Sequence, residues 1–209
     1  RGIVVNSGQA NACTGKQGLR DARAMAAHAA KQFDVPANQF LVCSTGRIGV
    51  PLRMDIILPG IEKLAKAVSP QGGEQAARGI LTTDTRPKRF TTTFTVNGQV
   101  CRLTGIAKGA GMIQPNMATM LAFLLTDARV ERGALQQSLR AAVAQSFNRI
   151  TVDGDQSTND TALLLANGSA GHSLLKPGHP DWAAWVAALE GVTFRLAMEM
   201  VRDGEAAQK

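Results

Sequence analysis

The chain contains no tyrosine, and aromatic residues make up 4% of it. Nucleic-acid binding modules usually concentrate positive charge and interleave aromatics for base stacking. Here the net charge is +7, but most of the 23 lysines and arginines stand singly, and the one tight cluster is Arg86-Pro-Lys-Arg89. A broadly basic enzyme surface is therefore expected, with no nucleic-acid partner. Cys13, Cys43 and Cys101 are too few and too scattered for a disulfide framework or a zinc site. A reducing cytoplasm is the natural compartment. No apolar run approaches the roughly 18 residues of a membrane span, and the first residues do not resemble a signal peptide. Histidine is equally sparse. His28 lies on an alanine-rich stretch, His172 and His179 lie in a polar turn region, and no Ser-His-Asp or Cys-His order emerges. The P-loop pattern is absent, and the nearest dinucleotide pattern lacks its downstream acidic residue.

What is present is an ordinary globular composition, 209 residues at 44% hydrophobic and 19% charged. Strand and helix signals alternate. Ile3–Val5 reads as a buried strand, and Gln17–Phe33 as a helix with Leu19, Ala22, Met25, Ala26, Ala29 and Phe33 on its apolar face. Residues 40–44 form a second strand ending at the turn TGRIG. Leu52–Val68 is helical, with a break expected before Pro59, and Glu74–Leu81 is a short helix. Phe90–Val96 and Gln99–Ala107 make a hairpin around Asn97-Gly98. Thr119–Thr126 is a buried strand, Arg132–Phe147 a helix, Ile150–Val152 and TALLLAN strands. Asp181–Val201 is a long amphipathic helix with Asp181 as its cap. With no repeat and no linker, the sum is a mixed α/β or α+β layered fold, read as one compact unit. Arg1 is not a start methionine, and DGEAAQK stops just beyond a helix. The ends read as those of a piece of a longer chain.

Four small-residue loops sit beside strand ends: NSGQANACTG, STGRIG, LTTDT and AKGAGM. Such loops allow close backbone approach to a ligand or an oxyanion. The stretch GMIQPNMATMLAFLLTDA places Thr119 at the head of six consecutive apolar residues, directly after the small Ala118. A hydroxyl beside a core strand commonly just bonds a neighbouring carbonyl. A second role is chemical. A threonine that becomes a chain N-terminus carries an amine of pKa about 7.7–8.0 beside its hydroxyl, and that amine can serve as the base that histidine does not supply.

In this order, NSGQANACTG, STGRIG, TTDTRPK, IAKGAGM, GMIQPNMATML and DGDQSTNDT closely resemble the ornithine acetyltransferase family. Its members are called bifunctional arginine biosynthesis proteins when they also use acetyl-CoA. The resemblance runs from Arg1 to Lys209. It implies a layered α/β sandwich related to self-processing aminopeptidases. It implies self-cleavage between Ala118 and Thr119, dividing residues 1–118 from residues 119–209, with Thr119 as nucleophile. It places the oxyanion hole at Thr45 and Gly46, and substrate contacts at Thr82, Lys108, Thr119 and Glu205. Lys108 would hold a substrate carboxylate and Glu205 an ammonium group. The implied reaction transfers acetyl from N-acetylornithine to glutamate through an acetyl-threonine, in arginine biosynthesis, with no metal or organic cofactor. Acetyl-CoA stays open as a second acetyl donor. The two chains would associate as a heterotetramer of two α and two β chains.

Two departures from the family pattern stand out. Arg47 replaces a small apolar residue in STGRIG, and Ala206 replaces the usual glycine after Glu205. The family chain also extends past both ends, and its C-terminal part supplies an Asn and a Thr to the substrate site. One rival keeps the fold and lets water accept the acyl group, as in a self-processing aminopeptidase or amidohydrolase. The other is a binding fragment without catalysis. TTDT with IAKGAGM argues for the acetyltransferase.

Overall fold

The computed structural model describes residues 1–114 and 120–205. The chain packs as two compact units, Arg1–Thr82 and Thr83–Lys209, where the lack of a linker had suggested one. Each unit has its own hydrophobic cluster.

In the first unit, β1 (Gly2–Gln9) and β2 (Phe40–Arg47) pair in parallel, with Gly2 opposite Phe40 and Gly8 opposite Gly46. Parallel strands need a crossover, and α1 (Gly15–Gln32) supplies it. Both strands run further than their apolar stretches, because the small-residue segments NSGQ and STGR continue the pairing. The helix face also differs from the sequence pattern. Gly18, Asp21, Met25 and Ala29 are buried, whereas Leu19 and Phe33 are 53% and 44% exposed. Asp21 tolerates this because the Gln17 side-chain amide donates to it at 2.6 Å. Next come α2 (Met54–Ala67) and α3 (Gly73–Gly79). No break occurs at Pro59, which sits in the second turn of a continuous α2. Pro59 and Asp55 are both exposed, so the carbonyl that loses its helical donor lies on a face open to water.

In the second unit, β3 (Lys88–Val96), β4 (Gln99–Lys108), β5 (Leu121–Thr126) and β6 (Thr161–Ala166) form one sheet in that order. The first two joins are antiparallel and β5–β6 is parallel. Asn97 and Gly98 take φ of 50° and 76°, the left-handed pair that a two-residue hairpin turn requires. A helix layer covers one face. In α5 (Trp182–Arg202), Trp185, Leu189, Val192, Leu196 and Met200 recur at three- and four-residue steps and pack with Phe94, Leu103, Ala107 and Leu124. Each such side chain contributes about 1.5–3 kcal/mol by leaving water. Against α5 lies α4 (Arg132–Gln145), with the Trp185 indole donating to Ser138 Oγ at 3.2 Å.

Two local readings change. Asp181 stands at the start of α5, but its carboxylate accepts the Asn97 N–H at 2.8 Å and caps no helix N–H. Residues 150–152 are not a strand. Val152 N–H reaches Ile113 at 2.8 Å as an isolated loop bond.

Candidate functional site

At the C-terminal end of β4 stands Lys108, 2% exposed. The register sets it beside Leu121, the first residue of β5, and Leu121 beside Thr161, the first residue of β6. One end of the sheet thus gathers three chain segments. Burial pushes the Lys108 ammonium below the ordinary lysine value and Lys88 adds to this, while Asp84, Asp160 and Glu205 pull it back up.

Beneath Lys108 is a buried ion network. Lys88 Nζ donates to Asp84 at 2.6 Å and to Asp203 at 2.5 Å, and these side chains are sealed from solvent. The same Asp84 oxygen accepts the Gly109 N–H at 2.7 Å, and Lys108 Nζ lies 3.9 Å from the other oxygen. Asp203 also accepts the Thr85 N–H at 3.1 Å and the Thr85 hydroxyl. The TTDT loop, the end of β4 and the end of α5 are therefore tied to one ammonium. Burial alone would push both carboxyls up. Lys88 and the N–H donors outweigh it, and both lie below the ordinary aspartate value.

Glu205 follows directly. Its N–H donates to the Ala110 carbonyl at 2.6 Å, and a Cβ on Gly111 would sit 2.8 Å from its carboxyl. A glycine at 111 is what lets the carboxylate approach this close. Lys108 and Glu205 interact electrostatically, so two of the expected substrate contacts do share one site.

The DGDQSTND loop bonds the chain at Met112, Ile113 and Met120. Asp153 accepts the N–H groups of Met112 at 2.5 Å and Ile113 at 2.9 Å, and these bonds hold its carboxyl below the ordinary value against the opposing effect of burial. Asp160 accepts the Met120 N–H at 2.7 Å. Burial pushes its carboxyl up to about 7, against that bond, Ser157 and Lys108. Ala118 and Thr119, the expected cleavage site and nucleophile, lie outside the described residues, as does Ala206.

Thr45, Gly46 and Thr82 belong to the first unit. Thr45 and Gly46 continue β2 instead of forming a turn, and the bend comes after Arg47. Thr45 is 2% exposed and pairs with Ser7, with a register irregularity at Gln9. Gly46 has φ +129°, and a Cβ there would lie 2.2 Å from the Gly8 carbonyl carbon, so no other residue fits. Thr82 is exposed, and Arg47 lies on the surface at the strand end. A separate apolar groove of about 440 Å³, lined by residues including Ile3, Phe40 and Leu64, offers space without reactive groups apart from Arg1.

Sequence reading passed over Asp84, Lys88, Asp153, Asp160 and Asp203. The first four lie inside the quoted motifs TTDTRPK and DGDQSTNDT, so the signal was present but not assigned to residues. Among the described residues no cluster of His, Cys, Asp and Glu is able to hold a metal ion, and no helix is long and apolar enough to cross a membrane.

Comparison with known proteins places these features. The family model described as the ArgJ family matches residues 1–209. The arginine biosynthesis bifunctional protein ArgJ of Symbiobacterium thermophilum is 51% identical over 207 residues, 99% of this chain and 52% of its own. The protein of the same name from Geobacter sulfurreducens is 50% identical over 209 residues, 100% of this chain and 53% of its own. The chain thus spans about half the length of the curated relatives it matches. A crystal structure of the Bacillus halodurans protein of that name superposes with a TM-score of 0.51 at 46% identity, over 56% of this chain and 61% of that one. The layered α/β fold is the one that structure shows, and the chain belongs to the ArgJ family.

Proposed function

We propose that this chain is part of a glutamate N-acetyltransferase that moves acetyl from N-acetylornithine to glutamate. The observation that carries the reading is Lys108. A nearly sealed ammonium at a strand end, beside Asp84, Asp160 and Glu205, is a charged donor able to take a substrate carboxylate. In the same reading Glu205 meets the side-chain ammonium of ornithine, and Thr82 is a further substrate contact.

The polypeptide is cut between Ala118 and Thr119. The freed Thr119 amine takes the hydroxyl proton, the hydroxyl oxygen attacks the acetyl carbon, and the C–N bond breaks as the leaving nitrogen takes up a proton, releasing ornithine. The glutamate amine then attacks the acetyl ester and gives up a proton, the C–O bond breaks, and the proton on the Thr119 amine returns to the Thr119 oxygen. The Thr45 hydroxyl and Gly46 N–H stabilise the oxyanion in both halves. No metal takes part. The relatives' names include the word bifunctional, which supports a second activity with acetyl-CoA as donor. The cut chains stay together, as two α and two β chains, in the cytoplasm.

The full-length protein tests this directly. N-acetylornithine-dependent acetylation of glutamate is expected, along with a new chain beginning Thr-Met-Leu-Ala-Phe on mass analysis. Thr119→Ala should leave one chain and abolish transfer. A fully active preparation of uncut chain would sink the mechanism, and hydrolysis without transfer to glutamate would favour the amidohydrolase.

A further inference from the structure

Asp160 stands where β6 begins, one residue before Thr161, so the sheet register brings it to the same end as Met120 and Lys108. Its two oxygens are used differently. Oδ1 accepts the Met120 N–H at 2.7 Å, which fixes the start of β5. Oδ2 is sealed from solvent and has no hydrogen-bond partner among the described residues. Leaving a buried acceptor unmatched costs about 1–3 kcal/mol, and more when it is charged. A buried acceptor left unmatched in this way is a place for a donor on a bound molecule. The arriving molecule must place an N–H or O–H beside an ammonium-binding group such as a carboxylate, because Lys108 interacts with Asp160 across this sheet end. An α-amino acid presents that pair, an amine and a carboxylate on one carbon.

We propose that Asp160 Oδ2 receives the substrate's amino nitrogen while Lys108 receives its carboxylate, and that Asp160 carries the nitrogen's proton during acetyl transfer. The inference rests on the acetyltransferase reading. In the first half-reaction the acetyl C–N bond breaks, the C–O bond to the nucleophilic hydroxyl forms, and the leaving nitrogen takes a proton from the Asp160 carboxylic acid. In the second half the incoming amine gives its proton back to the carboxylate as its C–N bond forms and the C–O bond breaks. The hydroxyl's own proton rests on the terminal amine and returns in the second half, so the cycle balances. A group able to serve both halves must populate both protonation states near neutrality. Burial brings the Asp160 carboxyl to about 7, with Lys108 of β4, Ser157 of its own loop and the Met120 N–H facing it. Asp84 and Glu205 in turn act on Lys108.

Asp160→Asn in the full-length enzyme separates the roles, because the amide oxygen still accepts the Met120 N–H. Two reactions are compared. Release of p-nitrophenolate from p-nitrophenyl acetate needs no proton on the leaving group, whereas transfer between N-acetylornithine and glutamate does. The ester burst is expected to persist within about threefold, and amine transfer to fall by about a hundredfold or more with loss of its pH dependence near 7. Asp160→Glu should recover part of the transfer. If Asp160→Asn does not fold, the wild-type pH profile decides. An inflection near 7 in transfer that the ester burst lacks, apart from the terminal amine's own at about 7.7–8.0 common to both, supports the proposal, and its absence overturns it. Ester burst and transfer falling together would mark a merely structural aspartate and overturn the proposal. So would an Asp160→Asn enzyme that transfers at the wild-type rate beside an active wild type. A wild type with no transfer at all would instead sink the acetyltransferase reading, and this inference with it.

Discussion

At the scale of single residues, two buried lysines of unit two have opposite expectations. Lys88 is 1% exposed, and its side chain is committed to Asp84 and Asp203. Lys88→Met leaves two carboxylates buried without their cation, so the folded state should lose about 3–5 kcal/mol in denaturant titrations. The network also has an acid limit. Asp84 and Asp203 are held below the ordinary aspartate value. Their contribution is therefore full above the unfolded value of about 3.9 and is lost as pH falls through their depressed folded values. Lys108→Ala, by contrast, removes the proposed carboxylate contact and should weaken use of N-acetylornithine and glutamate by about one to two powers of ten. Unchanged steady-state kinetics for both substrates would remove Lys108 from the site. This contrast was only half legible in the sequence. IAKGAGM marked Lys108 through resemblance, whereas Lys88 lies in a basic cluster, Arg86 to Arg89, that reads as solvated surface. Nothing local indicates that Asp203 comes back from far along the chain to cover it.

At the scale of elements, the sequence pattern located the five α-helices and six strands among the described residues, though not the 3-10 turn Ala37–Gln39, and it failed where tertiary contacts reassign a segment. Residues 150–152 have strand-like composition but no strand partner. Their neighbour Asp153 instead spends its carboxylate on the Met112 and Ile113 N–H groups. NSGQ and STGR carry too little apolar character to be seen as strand, yet they pair because Gly46 and Gly8 let the backbones meet. Helix α4 starts where predicted, with Glu131 accepting the Gly133 and Ala134 N–H groups at 2.9 and 2.7 Å. Those bonds hold the Glu131 carboxyl below its ordinary value. The cap is therefore intact above the unfolded value of about 4.3 and is lost as pH falls through the folded one. Glu131→Ala should lower the melting temperature at pH 7 and have little effect at pH 3. An equal effect at both values would mean that packing, not the cap, is responsible.

At the scale of the whole molecule, the cysteines report on the two units separately. Cys13 is exposed, Cys43 is buried in the first unit and Cys101 in the second. Burial and then Asp127 push the Cys101 thiol up, making it less reactive still. Alkylation followed by peptide mapping should therefore modify Cys13 at once and the other two only on unfolding. Loss of protection at Cys43 before Cys101 in rising denaturant would show that the units open independently, and simultaneous loss would show one cooperative transition.

The order of strands across the second sheet carries one more consequence. β3 and β4 come before the proposed break at 118–119, whereas β5, β6, α4 and α5 come after it. The ladder between β4 and β5, from Leu103–Thr126 to Lys108–Leu121, is thus the seam between the two products. Phe94, Leu103 and Ala107 on one side share a hydrophobic cluster with Leu124, Trp185 and Leu196 on the other. A nick there would behave like the cut in a split reporter protein. Denaturing gels would show two bands where a sizing column shows one particle, and neither half, expressed alone, would have a partner for its exposed strand edge.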